Sequence, residues 1–137
     1  MNTEDMRQHF ESDGSPRRLD SFQAPALRLV ILESPYAGDV AANVEYARAC
    51  VYDSLSRGEA PIVSHLLYTQ QGILDDSVPF ERSWGIQAGL AWIDVCEAMV
   101  VYTNWGISLG MKAAIDHALT RGKPIEYRAL PHLMKLS

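Results

Sequence analysis

Two segments built on the same plan constrain this chain more than any other feature of it. They are Ser56-Arg57-Gly58-Glu59-Ala60-Pro61-Ile62 and Thr120-Arg121-Gly122-Lys123-Pro124-Ile125. Each puts a cation at the end of a helical pattern, a Gly where the helix must stop, and a Pro leading into an apolar run. A helix-to-strand connection used twice predicts β-α-β-α-β-α-β winding. Right-handed crossovers then give a small parallel sheet in a three-layer α/β arrangement. The expected strand order is 2-1-3-4, and ligands in such sheets bind beyond the carboxyl ends of the strands, at the switch point between the first and third.

The stretch from Leu29 to Asp39 begins this winding. Its apolar run breaks at Ser34-Pro35 and turns through Gly38 into a periodic segment, so it reads as strand, tight loop and helix amino terminus. The helix is expected from Asp39 to Arg57, with Asp39 as N-cap and an apolar stripe of Val40, Val44, Ala47, Val51 and Leu55. Ala60 to Tyr68 reads as the second strand and Thr69 to Ser77 as a loop. A helix from about Pro79 to Glu97 carries Trp84, Ile86, Leu90, Ala91, Ile93 and Val95 on more than one face, which predicts a largely buried helix, under the sheet or against a second subunit. Ala98 to Thr103 is apolar enough for a central parallel strand. After a turn at Asn104–Gly110 a last helix follows, capped by Ser108, and Lys123–Tyr127 is the fourth strand.

The 137 residues suit one domain, over residues 24–137, preceded by a polar arm at 1–23 that is loosely held or reaches across a partner. A net charge of -5, with no basic cluster larger than Arg17-Arg18, argues against polymeric nucleic acid. Cys50 and Cys96 have no metal-ligand spacing and read as two buried thiols, so neither metal nor cofactor is expected. With no secretory signal and no apolar run of spanning length, the chain is expected to be cytoplasmic and to avoid membranes.

Three loops meet at the carboxyl ends of the strands: Ser34 to Gly38, Ser64 to Asp76, and Asn104 to Ser108. Their hydroxyls, phenol, imidazole, indole and helix N–H groups suit a nucleoside or nucleotide. Gly106-Ile107-Ser108-Leu109-Gly110 spells a hydrolase nucleophile elbow, but the His residues after it are His117, within the same helix, and His132 in the tail, and the chain is too short for a full hydrolase sheet, so Ser108 reads as a helix cap and ligand hydroxyl. His65 is a ligand contact, a proton donor or a satisfied structural His. Arg82, in the first turn of a helix, is a salt-bridge partner or a phosphate contact. Asp75-Asp76 reads as a solvated doublet rather than a metal pair. Trp84 and Trp92 read as core or interface, and Trp105 is the better candidate to stack on a base.

Ser34-Pro-Tyr-Ala-Gly-Asp39, Asn43-Val-Glu-Tyr-Ala47, Pro61-Ile-Val-Ser-His-Leu-Leu-Tyr68, Glu81-Arg82, Gly89-Leu-Ala-Trp92, Gly106-Ile-Ser-Leu-Gly-Met111 and Lys123-Pro-Ile-Glu-Tyr127 together resemble the nucleoside 2-deoxyribosyltransferase-like superfamily. The likeness is to a subgroup of small bacterial and phage proteins. It implies a Rossmann-like (flavodoxin-like) fold with four or five mainly parallel strands. It also implies cleavage or transfer of an N-glycosidic bond by a transferase or hydrolase, and a homodimer or larger homo-oligomer. The implied ligand contacts are Ser34, Tyr36, Gly38 and Asn43 from the first loop and helix, then Arg82, then Trp105, Gly106, Ser108, Gly110 and Met111. The superfamily's catalytic Glu falls on Ala114 and its Asp on Gly89, so both carboxylates are replaced. Asp39, His65 and Asp116 remain as acid–base candidates, with Asp75 and Asp76 behind them. The alternative is a non-catalytic module that binds or sequesters a nucleotide.

Overall fold

Residues 26–136 are described by a computed structural model of the chain, and the arm expected over residues 1–23 lies outside them. Strands buried on both faces must be apolar at every position, and β1 (Arg28–Glu33) and β3 (Ala98–Tyr102) come closest to that. They are the central pair of a four-stranded, all-parallel sheet ordered β2-β1-β3-β4, with β2 (Glu59–Ile62) and β4 (Ile125–Arg128) at its edges. Pro61 lies opposite Val30 in the β2–β1 register. A residue with no N–H is tolerated there because β2 has a strand on one side only.

The helices are α1 (Val40–Ser56), the single-turn α2 (Ser64–Leu67), α3 (Pro79–Val95) and α4 (Leu109–Thr120), with a 3-10 helix over Pro131–Leu136. Side chains alternate across the sheet with period two. Val30, Leu32, Val100 and Tyr102 pack with Tyr46 and Cys50 of α1 on one face. On the other, Ile31, Met99 and Val101 pack with Ile93 of α3 and Met111, Ala114, Ile115 and Ala118 of α4. The two buried, free cysteines belong to opposite layers, so the sheet separates them. Both predicted helix exits are present: Arg57 and Arg121 are C-caps, each followed by a Gly in the left-handed region.

Two expectations are corrected and a third is narrowed. The second strand ends at Ile62 rather than Tyr68, and the chain turns at Val63 into α2. The buried face of α1 is Asn43, Tyr46, Ala47, Cys50 and Ser54, whereas Val40 and Leu55 are each 41% exposed. Polar residues take that face because each has a partner: Asn43 and Tyr46 bond loop groups, and Ser54 Oγ donates to Glu59 at 2.8 Å. Finally, α3 buries only Gly89 and Ile93, leaving Phe80, Trp84 and Val95 more than half exposed, so the sheet does not cover its several apolar faces. Among the described residues no helix is long and apolar enough to cross a membrane.

Below α1, Arg128 donates to both carboxylate oxygens of Glu59 at 2.7 and 2.6 Å and to Glu126 at 2.6 Å. Arg28 bonds Glu126 at 2.7 Å and completes a four-residue charge network. Burial raises the Glu59 carboxyl, but hydrogen bonds from Arg128 and Ser54 outweigh it and hold the group below the ordinary carboxylate range.

Candidate functional site

At the carboxyl ends of β1 and β3, on the α3–α4 side of the sheet, there is a cavity of about 370 Å³, within the range of small-molecule sites. Tyr36 and Ser34 enter it from the loop after β1, His65 and Ser64 from α2, and Ser108, Gly110 and Met111 from the start of α4. Asp76, Glu81 and Arg82 lie along the wall formed by the loop before α3 and that helix's first turn.

Local chemistry explains how these groups are held. The Asn43 amide is buried and donates to the carbonyls of Tyr36 and Ala37 at 2.9 and 3.0 Å, which fixes the loop's course before Gly38 turns it at φ +104°. Only a residue free of Cβ takes that conformation without strain. Ser108 caps α4, its Oγ accepting from the Met111 N–H at 3.2 Å, and so it keeps its own hydroxyl proton for a ligand. The His65 Nε2 lies 2.7 Å from Ser34 Oγ, and its ring meets that of Tyr36 edge-on. Burial pushes the His65 pKa down to about 4, so at neutral pH the ring is an uncharged hydrogen-bonding group rather than a ready acid.

Arg82 lines the cavity, is exposed, and forms no salt bridge among the described residues. Gly89 is present for a packing reason. A Cβ there would meet Ser64 Oγ at 2.7 Å and Ser64 Cβ at 3.3 Å, so a side chain where α3 touches α2 would have to turn the Ser64 hydroxyl aside. Ala114 is buried and also lines the cavity, and its methyl is all that α4 presents at that position.

Several sequence-predicted residues are elsewhere. The Asp39 side chain is taken up in capping α1, accepting from Ala42 N–H at 3.2 Å, and is not part of the cavity lining. Asp116 is exposed, because two residues beyond Ala114 is more than half a turn around the helix. Trp105 stacks on Tyr46 with ring centroids 4.4 Å apart, and neither it nor Gly106 lines the cavity. The Tyr46 hydroxyl and Asn104 hold that loop toward α1 instead, through bonds of 2.9 and 3.0 Å. Gly38 lines an open groove that adjoins the cavity and shares Tyr36 and Arg82 with it. Asn43 supports the loop from beneath.

Sequence reasoning missed Glu33. It ends β1, is 8% exposed, lines the cavity, and has no hydrogen-bond or ion-pair partner among the described residues. Burial alone pushes its carboxyl up to about 8, so it is mostly protonated at neutral pH. The signal was available in strand parity. Ile31 faces the α3–α4 layer, and two residues later Glu33 must face the same way.

The fold is shared with a known enzyme structure. The chain is similar to the 2-desoxiribosyltransferase from Leishmania mexicana, with a TM-score of 0.50 and 12% sequence identity over 74% of this chain and 64% of that one. No curated protein matches the sequence. A family profile described as "Domain of unknown function (DUF7768)" matches residues 28–128. With most of its length under that profile, including every strand of the sheet, the chain belongs to the DUF7768 family.

Proposed function

We propose that the cavity binds a nucleoside or nucleotide and that the protein cleaves or transfers its N-glycosidic bond. The observation that carries this reading is the convergence of Tyr36, His65 and Ser108 on one cavity that also holds an unpartnered carboxyl. Hydroxyl, phenol and neutral imidazole are the groups that bind sugar hydroxyls and base edges, and breaking a bond to an anomeric carbon needs a carboxyl beside it. The likeness in fold to a deoxyribosyltransferase agrees with this chemistry. Incubating the protein with deoxynucleosides and their 5′-monophosphates should release free base, or exchange it when a second base is supplied, as read by chromatography. A complete absence of base release and exchange across purines and pyrimidines would reject the reading.

A second reading, a module that binds or sequesters a nucleotide without chemistry, has the bare positions Gly89 and Ala114 in its favour. Ligand-induced thermal stabilisation with no turnover would select it.

Arg82 is the cation of the cavity wall, and we assign it to a phosphate of the ligand. A charge-assisted hydrogen bond of this kind is worth about 1.5–3 kcal/mol. Arg82→Ala should therefore weaken a nucleoside monophosphate roughly 10- to 100-fold and leave the parent nucleoside within about 3-fold. Titration calorimetry on the two ligands measures the difference, and equal weakening of both would remove the assignment.

A further inference from the structure

Resting on the N-glycosidic reading, we propose that Glu33 is the catalytic acid of this site, delivering its carboxyl proton to the leaving base. Glu33 is the last residue of β1, paired in register with Val101, and it projects from the sheet between α3 and α4 into the cavity. Buried carboxyl groups in folded proteins nearly always have a partner, because an unsatisfied one costs stability without return. Glu33 bonds no described residue, although its neighbour Ser34 is bonded to His65, and since no described side-chain nitrogen or oxygen is both sealed from solvent and unpaired, its carboxyl oxygens open onto the cavity. A buried acid left open toward a cavity points to a ligand as the missing partner.

The surroundings match the role. Tyr36, Tyr68, His65, Asp76, Glu81 and Arg82 are the other titratable groups that line the cavity, and none of them bonds Glu33. The α4 wall, from Ser108 to Ala114, faces the cavity with no carboxylate or cation. No neighbour therefore pulls the proton from Glu33, and burial retains it to about pH 8. Glu33 also lies in the cavity that Gly89 and Ala114 line, so β1 supplies a carboxyl that neither helix offers there.

In the reaction the C1′–N bond breaks and its electron pair goes to the base nitrogen, which takes the proton of Glu33. Water bonds to the anomeric carbon and loses a proton, and that proton restores the Glu33 carboxyl through solvent. The sum is nucleoside and water giving base and sugar, with the acid regenerated. In the transfer variant the N–H of an incoming base replaces water and returns its proton in the same way.

The test compares wild type with Glu33→Gln on two substrates. One is an ordinary purine deoxynucleotide. The other is its N7-methylated counterpart, whose base is already cationic and leaves without being protonated. General acid catalysis is worth roughly 100- to 10,000-fold. Glu33→Gln should lose at least about 100-fold in kcat/KM on the first and stay within about 5-fold on the second. The wild-type kcat/KM should also fall as pH rises through about 8, a limb that Glu33→Gln should lack. Thermal unfolding and nucleotide affinity confirm that the variant is folded and still binds. Equal losses on the two substrates, or no loss on either, overturn the assignment while the N-glycosidic reading stands. A wild type that releases base from neither substrate removes that reading and this one together.

Discussion

Glu33→Gln should make the protein more stable at neutral pH, by about 3 kcal/mol, and the gain should vanish in acid. In the folded chain the carboxyl keeps its proton to about 8, against 4.5 for the free side chain. Between those values the unfolded chain has released a proton that the folded chain still holds, so stability falls as pH rises through the window. A neutral isostere has no such dependence. The advantage of the variant should begin above about pH 4.5, grow through neutrality and level off near about 5 kcal/mol above pH 8. Urea unfolding of both proteins from about pH 4 to pH 9 measures it. A constant difference between the two curves would mean that Glu33 ionises normally in the folded state. A gain in stability paired with a loss of rate is the signature of a residue kept for chemistry.

The same reasoning sets the shape of the wild-type profile. His65, pulled down to about 4 from 6.5 by burial, makes stability fall as pH drops through that range. Between about 4.5 and 6.5 its slope opposes that of Glu33 and the two nearly cancel. Below that plateau Glu59 and Glu126, whose folded pKa values are depressed, give up their contributions as they protonate.

Glu59→Ala should cost about 3–5 kcal/mol. Its carboxylate meets the Arg128 guanidinium through two short bonds, and the two side chains are 5% and 7% exposed. Removing the acid leaves a cation under α1 with one remaining carboxylate partner, Glu126, and strands the Ser54 hydroxyl that Glu59 accepts from. The melting temperature should drop by roughly 10 °C or more. Replacing both members, as Glu59→Leu with Arg128→Met, should recover much of the loss, because no buried charge is then left alone. A double variant as unstable as Glu59→Ala would locate the cost in packing rather than in the pair.

Much of the framework could be read from the chain before any coordinates. Gly58 and Gly122 announced the helix exits, Asp39 and Ser108 the helix starts, and the repeated helix-to-strand connection the winding behind the strand order. What escaped was decided by tertiary partners. The apolar run after Pro61 reads as a continuing strand, yet Val63 begins a helical turn that brings His65 to Ser34. Counting apolar positions on α1 selected the wrong stripe, because Asn43 and Ser54 are buried on the strength of hydrogen bonds made to residues elsewhere in the chain. The site was half legible for the same reason. Loop residues such as Tyr36 and Ser108 follow from topology, which fixes where loops gather. Glu33 escapes a reading by hydrophobicity because it closes an apolar strand run, whereas the resemblance puts carboxylates on the helices.

The contact between Gly89 and Ser64 ties two positions of the chain to each other. A side chain at position 89 would meet the Ser64 hydroxyl and would have to turn it aside, within the helical turn that carries His65. Position 89 and Ser64 are thus expected to vary together, each change in one setting the room left for the other.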